Sequence, residues 1–243
     1  MNRLFIEDSK INLNLVVVIK GDKHNKIKNV LRLKEESPII LFNNTGYEFF
    51  GKIVHIEKNE THVLIVDKRE VKQTGDIEII LACCLTKGKK FEFVLEKTTE
   101  LGISGIIPII SERTIVRDVS SHKFSRWQRI LEEASRQCGR TQVAHFNEPL
   151  SFSDFLLKSR DMNFSKIILV EPGHEVLKNA KELSGSTFLI LIGPEGGFSE
   201  NEVKQAVKEG FSPLTLGKLT LRAETAPLVI TTLLQYKFGH LSL

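Results

Sequence analysis

From about residue 77 onward the chain alternates two patterns. Short, mostly apolar runs at 77–81, 106–110, 166–170 and 187–192 predict strands, and the continuous apolar stretch Leu189 to Ile192 is expected of a strand covered on both faces. Between them, Phe91, Val94, Leu95, Thr98 and Leu101 fall on one face of a helix over 90–101. Phe124, Trp127, Ile130, Leu131, Ala134 and Cys138 fall on one side of another, and a last apolar helix is predicted over 225–238. Such alternation predicts an α/β fold, a mostly parallel sheet with helices on both faces. Earlier in the chain, β-prone runs at 13–19, 39–42, 47–56 and 62–66 dominate, with turns at 43–46 and 58–60 and one helical stretch over 23–31. That segment predicts a small β-barrel. A boundary at 72–76 then divides the chain into domains 1–73 and 74–243. The sequence shows no internal repeat and no low-complexity segment.

The strand at 187–192 runs directly into Gly193-Pro194-Glu195-Gly196-Gly197-Phe198-Ser199. The glycines allow tight turning and close backbone approach. Ser199 and Glu202 have the spacing of a capping box, Val203, Ala206 and Val207 share a helical face, and Gly210 is a helix stop. Strand, glycine loop and helix start make a common ligand-binding corner in α/β proteins, and the same residues also suit a plain strand-to-helix turn. The loop lacks both the dinucleotide G-x-G-x-x-G and the Gly-Lys-Ser/Thr of a phosphate loop. Glu195 would repel a phosphate, so a ligand here is neutral or cationic near the loop. A second stretch, 214–227, again reads as strand, loop and helix, with Thr225 as N-cap and Pro227 in the first turn. Its loop carries Arg222 and Glu224. Each has an ordinary alternative, a surface arginine and an acid favoured at a helix N-terminus.

Charge matters here by distribution rather than by sum, since the net value is only +4. Lys23, Lys26, Lys28, Arg32 and Lys34 follow one another with no acid between them. From 113 to 140, Arg113, Arg117, Lys123, Arg126, Arg129, Arg136 and Arg140 face only Asp118, Glu132 and Glu133. Both clusters suit phosphate contact, or a solvated face. Cys83, Cys84 and Cys138 are odd in number, show no metal spacing and read as reduced cytosolic thiols. No Pro-Cys nucleophile loop is visible, and no metal site follows from the dispersed histidines. No apolar run nears the ~20 residues of a membrane span, and the N-terminus lacks a secretory apolar region. The expected location is cytoplasmic, with no membrane and no metal.

Taken together, several stretches resemble the RsmE family of ribosomal RNA methyltransferases in the SPOUT superfamily. They are Ile192 to Ser199; Leu216-Gly217 with Leu221-Arg222-Ala223-Glu224-Thr225-Ala226; Leu95-Glu96-Lys97-Thr98-Thr99-Glu100-Leu101-Gly102; Ser111-Glu112-Arg113 with Trp127 and Glu133 to Arg140; and Leu31-Arg32-Leu33. They run in family order over nearly the whole chain.

The resemblance implies a PUA-like or OB-like RNA-binding barrel followed by a SPOUT domain. Its C-terminal part, roughly 189–243, would be threaded into a trefoil knot, where pattern alone would predict an unknotted sheet. It implies S-adenosylmethionine as cofactor, held by Leu191, Ile192, Gly193, Pro194, Glu195, Gly196, Gly197, Leu216, Gly217, Leu219, Leu221 and Arg222. Leu191, Leu216, Leu219 and Leu221 would wall the adenine or pack the core. The implied acceptor is N3 of a uridine in small-subunit (16S) ribosomal RNA, free or in the assembled subunit. Arg222 would stabilise the growing uracil oxyanion, and Glu195 or Glu224 would accept the proton. Lys26, Lys28, Arg32, Arg113, Gln137 and Arg140 are the candidate RNA contacts. A homodimer would form through the C-terminal domain, with Leu228, Val229, Thr232, Leu233 and Tyr236 supplying part of the face. The alternatives are a non-catalytic RNA-binding assembly factor and, against the missing fingerprint, a dinucleotide oxidoreductase.

Overall fold

The computed structural model describes residues 2–7, 10–71, 77–172, 184–239 and 241–242. The boundary expected at 72–76 lies outside them, as do His174 and His240. Two units are present, Met1–Gln73 with Ser135–Val143, and Thr74–Ala134 with Ala144–Leu243.

In the first unit, β1 (Asn2–Phe5), β2 (Val16–Lys20), β3 (Pro38–Phe42), β4 (Tyr47–Ile56) and β5 (Glu60–Glu70) form one sheet in the order β1-β3-β4-β5-β2. Only β1 and β3 run parallel. Side chains from all five strands, among them Leu4, Ile19, Leu41, Phe49 and Val63, meet in one core with Ile27. A sheet whose every strand reaches the same core must curl around it. The helical stretch starts earlier than expected, as α1 (Gly21–Asn25), and continues as a π-helical turn over Lys26–Val30. Gly21, at φ +61, lets the chain leave β2 straight into this helix. Residues 135–143 belong to this unit through specific bonds. Arg3 Nη2 donates to the Arg140 carbonyl (2.9 Å), Asn44 N–H to the Thr141 carbonyl (3.2 Å), and Val143 N–H to Asn44 Oδ1 (2.8 Å).

The second unit contains, in order, β6 (Glu78–Cys84), α2 (Lys90–Glu100), β7 (Gly105–Ile110), α3 (Ser121–Cys138, whose last turn belongs to the first unit), β8 (His145–Phe146), β9 (Leu150–Ser151), α4 (Phe152–Ser159), β10 (Ser165–Leu169), β11 (Thr187–Ile192), α5 (Glu200–Lys208), β12 (Ser212–Leu214) and α6 (Ala226–Phe238). The strands lie in the order β12-β10-β11-β6-β7-β8, with β9 also on β7, and every pairing is parallel. Pleat divides β11 between two cores. Leu189 and Leu191 turn to the side packed by Phe152, Phe155 and Ala206 of α4 and α5. Phe188 turns the other way and stacks on Phe238 of α6 at 5.4 Å. Helices therefore cover both faces, as the alternation predicts.

Candidate functional site

Because its strands are parallel, the chain leaves β6, β7, β10, β11 and β12 at the same edge of the second sheet. The loops that follow line a cleft of about 590 Å³. Open α/β sheets place ligands at this carboxyl edge.

The loop after β11 is built around two glycines at which a side chain would crowd its neighbours. A Cβ on Gly193 would lie 3.2 Å from the Phe198 ring, and one on Gly197, at φ +64, would lie 3.2 Å from Glu171 Oε1. The Gly197 N–H closes the turn on the Pro194 carbonyl at 3.0 Å. Ser199 and Glu202 form the expected capping box at the start of α5. Glu202 is buried and does more than cap. One oxygen accepts the Ser199 N–H (2.9 Å), and the other accepts the Glu112 N–H of the loop after β7 (2.8 Å). That bond fixes the neighbour, Arg113, whose Nη1 donates to the Gly196 carbonyl at 2.7 Å.

Carboxylates and cations meet at the cleft. Lys90 Nζ, from the start of α2, lies 3.3 Å from Glu195 Oε1 and 3.7 Å from Glu224 Oε2. The Lys87 N–H also donates to Glu195 Oε1, at 3.4 Å. Burial tends to raise the Glu195 pKa, but hydrogen bonds from its own backbone, Lys90 and Lys87 outweigh that and hold the carboxyl below the usual value. Glu224 Oε2 is buried and makes no hydrogen bond.

All the residues expected at the cofactor border the cleft except Leu191. Leu191 is wholly buried in the sheet core, because the pleat turns it away from Ile192, which does reach the cleft. Leu219 is 80% exposed. Thr225 stands at the N-cap of α6 but makes no side-chain cap bond; the Arg222 carbonyl instead accepts the Thr225 and Ala226 N–H groups (2.9 and 3.0 Å). Arg113, Arg222 and Glu224 all border the cleft, whereas Gln137 and Arg140 belong to the first unit. Gln137 is exposed, and burial lowers the pKa of Arg140. Lys28 and Arg32 are exposed on the first unit, with Lys28 Nζ donating to the Glu57 carbonyl (3.2 Å) and Arg32 held at φ +50, a rare backbone state for arginine.

Three features escape a reading of the sequence. Lys90 sits in the run Lys87-Gly88-Lys89-Lys90, which reads as a solvated turn. Glu171 is the first acid after an apolar strand, a position that local pattern alone does not mark for the cleft. Glu57, Glu60 and His62 bring ligand atoms within 4.8 Å of one another across the β4–β5 turn, although Lys20 Nζ already pairs with Glu60 at 2.9 Å.

Residues 73–235 match the family model of an RNA methyltransferase domain, and residues 27–66 that of an RNA methyltransferase PUA domain. The ribosomal RNA small subunit methyltransferase E of Buchnera aphidicola is 31% identical over 98% of this chain and 94% of its own length. A solved structure of the Neisseria gonorrhoeae enzyme of that name, bound to S-adenosylmethionine, is 30% identical with a TM-score of 0.89, covering 100% of both chains. A Legionella pneumophila protein solved with the same cofactor is also 30% identical at TM-score 0.89, over 98% of both. The chain belongs to the ribosomal RNA small subunit methyltransferase E family. Among the described residues, no helix is long and apolar enough to cross a membrane.

Proposed function

We propose that this protein transfers a methyl group from S-adenosylmethionine to N3 of a uridine in small-subunit ribosomal RNA, in the cytoplasm. The observation that carries this is the convergence of the loops after β11 and β12 on one cleft with Lys90 and Arg113. The residues there fit the cofactor. Ile192, Leu216 and Leu221 offer an apolar side, while Glu195, Glu171 and Glu224 favour a cation. Gly193 and Gly197 keep the backbone open to close approach, and Glu224 Oε2 is an unused acceptor.

The cofactor supplies an electrophilic methyl group on a cationic sulfur. The chain's task is to orient the uridine and manage its N3 proton, because most of the acceleration can come from positioning. Arg222 brings a planar guanidinium that stabilises the negative charge growing on the uracil oxygens. A carboxylate of the cleft takes the proton. The first unit, with Lys26, Lys28 and Arg32, holds RNA, and Arg113 contacts RNA at the cleft of the second unit. The trefoil knot over 189–243 belongs to the same reading.

Leu233 and Tyr236 of α6 are half exposed, whereas Ile230 and Leu234 face their own core. This exposed face is the proposed twofold interface of a homodimer, and a monomer in sedimentation at micromolar concentration would remove it. A non-catalytic assembly factor has no need of the crowded glycine cradle. The deciding experiment is mass spectrometry of small-subunit RNA from a strain lacking the gene. One methylated uridine should disappear and return with the gene; unchanged RNA would overturn the assignment. Supplying purified protein with free RNA and with assembled subunits identifies which is the substrate.

A further inference from the structure

We propose that Glu224, rather than Glu195, both recognises the uridine N3–H and takes its proton, and that Lys90 is a positioning residue that fixes this division. The inference rests on the methyl-transfer reading above. Glu195 Oε1 is occupied by two donors, Lys90 Nζ at 3.3 Å and the Lys87 N–H at 3.4 Å. Glu224 Oε2 is buried without a hydrogen bond, and Lys90 Nζ, 3.7 Å away, is its partner in charge only. The Glu224 side chain is 16% exposed, half the 32% of Glu195. A buried acceptor left unfilled is costly, and a substrate N–H placed there removes that cost.

Uracil chemistry matches this arrangement. Its pairing edge presents a carbonyl, the N3–H and a second carbonyl, which is acceptor, donor, acceptor. The cleft offers the Glu224 acceptor together with Lys90 from α2 and Arg222 from the same loop. Cytosine carries a lone pair and no hydrogen at N3, so it would set one acceptor against another. The same oxygen that removes the proton therefore selects uridine over cytidine.

In the step, the N3–H bond breaks and its proton passes to Glu224 Oε2. The freed pair on N3 forms the new bond to the methyl carbon, and the methyl–sulfur bond breaks with its electrons remaining on sulfur. The other charged groups at the cleft are Arg113 and Glu171, from the loops after β7 and β10, and Glu200, at the start of α5. Glu195 Oε1 already accepts from Lys90 Nζ and the Lys87 N–H, so it is the less available of the two carboxylates.

The test is single-turnover methylation of small-subunit RNA by the full-length protein, with cofactor affinity measured calorimetrically. Two RNAs are compared, one with uridine and one transcribed with 5-fluorouridine, whose N3 proton is more acidic. Glu224→Gln should slow transfer to uridine about a hundredfold, the scale of losing a general base, and leave cofactor affinity within about threefold. Its deficit should shrink severalfold on 5-fluorouridine RNA, and its residual rate should climb with pH as hydroxide substitutes for the carboxylate. Glu195→Gln should slow transfer far less. Lys90→Met should cost about tenfold, and Lys90→Arg should restore most of it. Equal deficits of Glu224→Gln on both RNAs, or a rate within about threefold of wild type, would overturn the proposal. Wild-type protein that methylates neither RNA, while binding both, would defeat the underlying reading and this assignment with it.

Discussion

Glu202 and Glu112 are joined by a hydrogen bond in which a buried carboxylate accepts a backbone N–H at 2.8 Å, 90 residues away in sequence. The other oxygen closes the cap at Ser199, so one side chain ties the loop after β7 to the glycine loop after β11. Glu202→Ala should cost about 2–3 kcal/mol, combining a lost cap with a stranded donor. A lowered urea midpoint at unchanged slope would register it. Cofactor affinity should fall as well, since Arg113 and Gly196 lose a common anchor. Unchanged affinity would show that the glycine loop holds its shape unaided.

Arg222 borders the cleft and donates through no side-chain bond among the described residues. Arg222→Ala should lower methyl transfer by about a hundredfold, the scale of losing one oxyanion donor. Arg222→Lys should also be impaired, because it keeps the charge and loses the planar fork. Single-turnover rates and cofactor binding on one preparation decide the matter. Parallel loss of both would make Arg222 a support of the loop.

Replacing Lys26, Lys28 and Arg32 together with glutamine should weaken RNA binding and flatten its dependence on salt, by roughly one unit of log–log slope for each phosphate that is no longer neutralised. Cofactor binding should not change. Filter binding at several salt concentrations measures this, and an unaltered slope would place the RNA-binding face elsewhere.

Cys83 and Cys84 are buried, while Cys138 is exposed. Burial pushes the Cys84 thiol up to about 12, and that of Cys83 higher still. Below about pH 9 the native protein should therefore expose one reactive thiol, and the unfolded protein three. Titration with a thiol reagent, before and after denaturant, gives both numbers. A second fast thiol in the native protein would mean that β6 opens readily.

What the sequence displays is whatever local spacing dictates. The apolar face of α2, the capping box at Ser199 and the glycine loop are each specified within a few residues, and each forms as its spacing predicts. Leu191 shows the limit. On a strand buried on both faces nothing local says which neighbour the pleat turns toward the cleft, and Ile192 takes that place. Lys90 and Glu195 are 105 residues apart, and only the sheet order, with β11 beside β6, brings them together. β8 and β9, at two residues each, are too short to carry a period. The strand expected from Leu214 ends there, and Gly217, at φ +135, already belongs to a turn.

Residues 135–143 have a consequence for synthesis. Arg3 and Asn44 bond to Arg140, Thr141 and Val143, so the first unit is incomplete until the ribosome has made the chain through Val143. By then the opening strands and helices of the second unit have emerged as well. Domains commonly finish in the order in which they are translated. Here some bonding groups of the earliest residues, on Arg3 and Asn44, wait for a segment made well after them. A fragment stopped at residue 73 would lack these partners, and fusing 135–143 to it through a linker would restore them.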